Sequence, residues 1–308
     1  QLTSNNPAPT ALTALPAQTA VPTLTPTPRP LNLQTPVRLA AGVVHSVALT
    51  SNRRVLVWGD SSYGQRDIPA DMPPVVAVSA SAYHTLALHD DGHVSAWGFN
   101  GNAQTDVPAT LHNAVAVAAG LSHSLALLSN GTVVAWGDDG GSASRVPAEL
   151  TQVVAIAASN GYSLALRADG TVAAWGRNTA GQTDVPTDLR TVVAIAAGGD
   201  HALALKSDGT VVGWGDNRFK QATCALKNVV AIAAGMDYSL ALQNNGKVTA
   251  WGLDVSKRAS VPGTVVDAVA IAASYTNSVV SLRNGKIITF GSSLDQALIT
   301  RKIGRAHV

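Results

Sequence analysis

The sequence predicts an all-β protein, a seven-bladed β-propeller of four-stranded antiparallel blades. Three observations carry that prediction. An aromatic residue followed by glycine returns about every 39 residues. Each period holds the same strand, turn and hairpin signals. The acidic residues are nearly all aspartate: of 19, only Glu149 is a glutamate. Glutamate favours helices, whereas aspartate favours turns. With 27 glycines and many valines, the composition points to strands joined by tight turns.

The periodicity is set by Trp58, Trp97, Trp136, Trp175, Trp214 and Trp251, spaced 39, 39, 39, 39 and 37 residues apart. A further 39 residues leads to Phe290, an aromatic substitute. Glycine follows each: Gly59, Gly98, Gly137, Gly176, Gly215, Gly252 and Gly291. Repeats of this length indicate radial or solenoid architectures.

One unit, residues 114–147, shows the internal order. A small-residue strand, AVAVAAG, opens it. A turn leads to HSLALL, and Asn130-Gly131 then signals a hairpin. TVVAWG follows, then a polar loop and a short edge strand near Arg145-Val146, closed by Pro147. Proline is tolerated at an edge because it lacks a ladder donor. Blades converge on an axis, so Ala and Val suit the innermost strand. The tryptophans lie farther out, where neighbouring blades diverge and volume must be filled. A β-helix is the rival reading, but it lacks this alternation of small and bulky strands.

Residues 1–36 are dominated by proline and threonine and have no hydrophobic period. Such a segment cannot bury enough apolar surface to offset its ordering entropy. It reads as a disordered spacer or stalk, and it favours an extracytoplasmic location, secreted or tethered to an envelope. The first residue is glutamine, so the chain reads as a fragment or processed product. The propeller is placed at 37–300. The tail 301–308, RKIGRAHV, fits no repeat position.

Composition excludes other classes. Net charge is +2, and several basic residues sit near the ends, so no basic stripe supports nucleic-acid binding. Cys224 is alone, so there is no internal disulfide framework. No apolar run reaches the roughly 18 residues of a membrane helix.

The residues H-S-L-A-L, the D/N-G hairpin, V-x-x-W-G and G-Q-T-D-V-P resemble the regulator-of-chromosome-condensation repeat family. Residues 169–186, DGTVAAWGRNTAGQTDVP, carry much of that pattern in one stretch. The V-P closing each unit resembles bacterial members, among them propeller-type β-lactamase inhibitory proteins. The resemblance implies a seven-bladed fold whose members mostly bind proteins. Its eukaryotic founder is a nucleotide-exchange factor for a small GTPase. There are departures. The fifth unit reads GDNRFKQATCAL, without V-P, and the seventh reads GSSLDQALIT. No blade is shared between the ends, so the closing seam is expected to rest on side-chain packing alone.

The histidines and aspartates invite catalytic or metal readings. His45, His84, His123 and His201 lie 13 residues before the repeat aromatic, in a slot that holds Tyr162, Tyr238 and Asn277 elsewhere. All three types offer a polar group at a strand start, which favours a structural role over a metal ring. His89, His93, His112 and His307 are scattered and read as solvated. Asp91, Asp169 and Asp208 precede hairpin glycines, and Asp67, Asp106 and Asp184 occupy a Q-x-D-[IV]-P loop. No G-x-S-x-G elbow, P-loop or H-E-x-x-H is present. No catalytic residue, metal or cofactor is assigned. A hydrolase or lyase at the central mouth is the enzymatic alternative.

Of 14 aromatics, five fall outside the repeat plan: Tyr63, Tyr83, Phe99, Phe219 and Tyr275. Tyr83 and Tyr275 lie between the first and second strands, and the others between the third and fourth. In an up-and-down blade those connections share one face. Arg177, Asp200, Arg218 and Met236 are expected there too, with Asp138 and Asp139. Aromatic residues are enriched at protein interfaces. The sequence therefore predicts a non-catalytic, monomeric propeller that binds a protein partner through one loop-rich face. An inhibitor of a class A β-lactamase, or of a related cell-wall enzyme, is its narrower version.

Overall fold

The computed structural model describes residues 38–50, 52–138 and 141–291. The predicted leader, the tail and Asp139 lie outside these residues. Seven antiparallel sheets follow one another along the chain, at 38–59, 75–98, 114–137, 153–176, 192–215, 229–252 and 268–291. They are numbered here as blades 1 to 7. Among the described residues each has three strands rather than the expected four.

Blade 3 is representative. Its inner strand is Ala114–Ala119, its middle strand His123–Leu128 and its outer strand Val133–Gly137. Ala118 pairs with Leu125, and Leu125 with Ala135. The hairpin forms because Gly131 takes a positive φ of 79° and the Asn130 carboxamide accepts the Thr132 N–H at 3.0 Å. The middle strand is buried on both faces by the adjoining blades, so it reads as an apolar run.

The missing fourth strand has a local cause. After Gly98, the Asp106 and Val107 N–H groups donate to the Ala103 and Thr105 carbonyls. Pro108 has no N–H, and its carbonyl accepts from Leu111. The segment thus uses its backbone groups in its own turns and forms no ladder. The Arg145-Val146 segment of blade 3, expected as an edge strand, is likewise irregular.

Those irregular segments clamp the next blade. The indole N–H of Trp97, Trp136, Trp175, Trp214 and Trp251 donates to the carbonyls of Gln65, Gln104, Ala143, Gln182 and Gln221, at 2.9–3.0 Å. Apolar packing accompanies each clamp. Leu125, Leu127 and Leu150 of one repeat pack with Ala165 and Trp175 of the next. Burying side chains of this size stabilises by about 1.5–3 kcal/mol each.

A second set of contacts runs inside the ring. The imidazole Nε2 of His45, His84, His123 and His201 meets a hydroxyl of the next blade: Thr85, Ser124, Ser163 and Ser239, at 2.9–3.0 Å. The Tyr162 hydroxyl donates to the His201 carbonyl at 2.5 Å, and that of Tyr238 meets Ser278 at 2.9 Å. The Asn277 amide donates to Ser46 at 3.2 Å, joining blade 7 to blade 1. One slot therefore links all seven blades in a closed belt. Burial holds the His45, His123 and His201 imidazoles down at about 4 and His84 at about 3, so they are neutral near pH 7.

The closing seam is more than packing. Ala41, Ala48 and Trp58 pack with Ala272, Val279 and Ile287. Besides the Asn277 bond, the Thr276 hydroxyl donates to the Val43 carbonyl at 2.6 Å. The ends of the inner strands, Ala41, Ala80, Ala119, Ala158, Ala197, Ala234 and Ala273, surround one axial cavity of about 60 Å³.

Candidate functional site

The glycine after each repeat aromatic builds the irregular rim. These glycines have φ between 86° and 117°. A Cβ on Gly98 would lie 2.4 Å from the Tyr83 carbonyl oxygen, so strand and turn touch there. The following N–H then donates to that turn. Asp60 bonds Val44, Phe99 bonds Tyr83, Asp138 bonds Ser122, Arg177 bonds Gly161, Asp216 bonds Asp200 and Leu253 bonds Asp237, at 2.7–2.9 Å. Backbone bonds alone therefore staple the two irregular connections of a blade together. Their side chains are left free to differ.

The structure brings three predicted residues into one cluster. Tyr63 of blade 1 meets Tyr83 and Phe99 of blade 2 at centroid distances of 5.2 and 5.1 Å, and Tyr83 lies 6.3 Å from Phe99. All three contacts are edge-to-face. Tyr63 is 51% exposed. Its N–H is held at 2.8 Å by the buried Gln65 carboxamide, which fixes the loop. Gly101 lets the Phe99 ring fold against its own loop, since a Cβ there would sit 2.4 Å from the ring.

Tyr275 takes a different place. It borders the axial cavity with Ser159 and Ser274, and its buried hydroxyl has no hydrogen-bond partner among the described residues. Burial pushes its phenol up to about 12. The cavity it borders measures about 60 Å³, room for about two waters.

Phe219 lies apart from the triad, 41% exposed, with the Arg218 guanidinium 5.8 Å from its ring centre. This sector of the rim is ion-paired. Asp216 accepts the Arg218 Nε and Nη2 at 3.0 and 2.8 Å, and these bonds hold its carboxyl below the usual range. Arg177 pairs with Asp200, which also accepts from Gln182 at 3.4 Å. Arg258 pairs with Asp237 at 3.6 Å, donates to the Tyr275 carbonyl at 2.6 Å and stacks 5.4 Å from the Tyr238 ring centre. Met236 stands beside Asp237, 40% exposed.

Sequence reasoning overlooked Asp216, Asp237, Arg258 and the glutamines. The last had a legible signal. Gln65, Gln104, Gln182 and Gln221 each lie seven residues after a tryptophan, and each accepts a loop N–H. His89 needs correction as well. It is 2% exposed, not solvated, and bonds the Pro73 carbonyl and Ser95 hydroxyl at 3.0 and 2.7 Å. At the end of the middle strand it is held by groups of its own blade, before the inner strand and on the outer one. Among the described residues, no group of three or more His, Cys, Asp or Glu is arranged to hold a metal, and no helix is long and apolar enough to cross a membrane.

Comparison with known proteins matches this architecture. The regulator of chromosome condensation (RCC1) repeat matches residues 37–65, 75–104, 114–141, 153–182 and 192–221. The chain belongs to the RCC1-repeat family. Solved structures of similar fold include Prp20p from Saccharomyces cerevisiae, at 20% identity and TM-score 0.68, covering 88% of this chain and 85% of that one. The ectodomain of the Physcomitrella patens receptor kinase CR4 has 18% identity and TM-score 0.71, covering 83% and 73%. Human WBSCR16 has 19% identity and TM-score 0.67, covering 81% and 88%. At these identities the likeness shows the fold. No curated protein matches the chain.

Proposed function

We propose that this RCC1-repeat propeller is a non-catalytic protein-binding module that docks its partner on the irregular rim, chiefly through Tyr63, Tyr83 and Phe99. The observation that carries this reading is the triad itself. Two blades contribute rings to one partly exposed cluster; the position of Tyr83 holds Val44 or Ser122 in neighbouring repeats, and that of Tyr63 holds Asn102 or Gly141, with a ring again only at Phe219. Rigid aromatic clusters of this kind anchor interfaces at low entropic cost. Prp20p, which shares the fold, is described by its binding to Gsp1p and histones, and it has been solved with Kap60 bound. Phe219, Met236 and the Arg177–Asp200 and Arg218–Asp216 pairs extend the same rim and would shape its margin.

The proline- and threonine-rich leader supports an extracytoplasmic setting, with the propeller held off an envelope or secreted. The test is capture of partners from envelope extracts by the full chain, beside a Tyr63→Ala/Phe99→Ala variant. Loss of the captured protein with an unchanged thermal melt supports the reading. The opposite face offers the contrasting result. An open groove of about 630 Å³ runs there along Arg53, Arg54, Ile68, Met72 and Pro74. Loss of capture on Arg54→Ala, with the triad variant still binding, would move the docking site to that face. A panel of class A β-lactamases tests the narrower inhibitor reading drawn from the bacterial resemblance.

A further inference from the structure

We propose that the aromatic triad receives a cationic side chain, a lysine or arginine on a basic segment of the partner protein. This rests on the triad being the docking surface and names the chemistry of what docks.

The molecule supplies its own comparison. Guanidinium groups already attend two other rings of the chain, Arg218 at Phe219 and Arg258 at Tyr238. Ring faces carry negative potential and attract cations. Among the described residues, no lysine or arginine sits over Tyr63, Tyr83 or Phe99, although these three rings all touch one another.

The carboxylates repeat the contrast. Asp200, Asp216 and Asp237 are each paired with an arginine of the chain. Asp60, which opens the loop carrying Tyr63, is not among the ion pairs. It accepts the Ser62 hydroxyl and N–H at 2.8 and 3.3 Å. The Ser62 hydroxyl is the main cause holding its carboxyl below the usual range, and the one charge-bearing side chain acting on it is His45, itself neutral near pH 7. Arg66 lies in the same loop beyond buried Gln65, exposed and away from both ring and carboxylate contacts. The triad and Asp60 therefore offer a partly exposed ring cluster and, in the loop that carries Tyr63, a carboxylate with no cationic partner among the described residues. A guanidinium or ammonium group satisfies both at once, whereas an acidic or purely apolar segment satisfies at most the rings.

The probe is a fluorescent peptide alternating glycine and arginine, with glycine–glutamate and glycine–serine peptides as controls, read by anisotropy on the full chain. The arginine peptide binds saturably and the controls do not. Removing two rings with Tyr63→Ala/Phe99→Ala weakens it about tenfold, and Asp60→Asn by about threefold. Tyr63→Phe keeps the ring and the affinity. Phe99→Leu keeps apolar bulk without the π face and loses affinity, which separates cation recognition from misfolding or simple hydrophobic contact. Val266→Ala, exposed on the connection between blades 6 and 7, has no effect. Equal binding of the arginine and serine peptides would overturn the proposal, as would an affinity indifferent to the rings. If the triad variant loses the captured partner while the arginine peptide never binds, the docking surface stands and its cationic ligand does not. If neither responds to the triad, both readings fall.

Discussion

Blades 3 and 4 meet twice. On the inside, His123 reaches the Ser163 hydroxyl at 2.9 Å. Farther out, at the rim, the Trp175 indole bonds the Ala143 carbonyl, and the Arg177 N–H bonds Gly161 within blade 4. The inner contact admits few side chains around the ring: histidine, tyrosine and asparagine. The turn position that the rim staple bonds runs Val44, Tyr83, Ser122, Gly161, Asp200 and Asp237. The difference lies in which atoms do the holding. Inside, the side chain itself must reach a partner, so its length and polarity are constrained. At the rim the backbone holds the chain, so the side chain is free to serve recognition.

Acid should break this comparison most strongly. The belt histidines have folded-state pKa values of about 3 to 4, below the unfolded value of about 6.5. Below pH 6.5 the unfolded chain takes up protons that the folded chain refuses. Stability is therefore full above about pH 6.5 and falls as pH drops toward 4, by about 1.4 kcal/mol per pH unit for each histidine. Urea titrations at stepped pH check this. Replacing His201 by asparagine, the residue found in the same slot at 277, should lower that slope by one histidine's share. An unchanged slope would remove the belt from the account of acid lability.

Single substitutions sharpen the contrast at neutral pH. His123→Ala empties a buried site between two blades and should cost about 2–4 kcal/mol in urea unfolding. Its neighbour Ser122→Ala, on the rim side of the same turn, should fall within about 0.5 kcal/mol. Asn277→Ala tests the closing junction. Its buried side chain bonds Ser46 at 3.2 Å and accepts the Ser274 hydroxyl at 2.6 Å, so the loss should be about 1–3 kcal/mol, visible as a lower melting temperature.

At the rim the effects on stability shrink while those on binding grow. Arg177→Ala removes a partly exposed ion pair and should change stability by less than about 1 kcal/mol. Tyr63→Ala gives up edge-to-face contacts worth about 0.5–1.5 kcal/mol each, in a residue already half exposed, so the melt should move by a few degrees at most. Partner capture, in contrast, should be lost. A rim variant that melts as low as His123→Ala would show that the two regions are not separable.

Much of this was legible beforehand, for reasons that differ by element. The seven units, their hairpins and their inner, middle and outer strands follow from spacing, because periodicity and turn residues act locally. The fourth strand was not legible. The Q-x-D-[IV]-P segment has the alternation and edge proline of a strand, and only its backbone bonds reveal that it turns on itself. His89 was misplaced because its partners, the Pro73 carbonyl and the Ser95 hydroxyl, come together only when the three strands of its blade pair. Arg258 and Asp237 were missed because they lie 21 residues apart in the chain and meet only once blade 6 folds.

The sequence by itself determined that there are seven wedges, which position of each carries a polar group inward, and that the surplus aromatics lie in connections of one face. Those properties repeat with the chain and need no knowledge of what lies beside them. Tertiary structure decided which surplus rings meet. Tyr63 joins Tyr83 and Phe99 because the irregular segment of one blade reaches over the next, whereas Tyr275 turns to the axis and Phe219 is taken by Arg218. Such contacts are set by the angle between wedges, a quantity of the closed ring rather than of any single repeat.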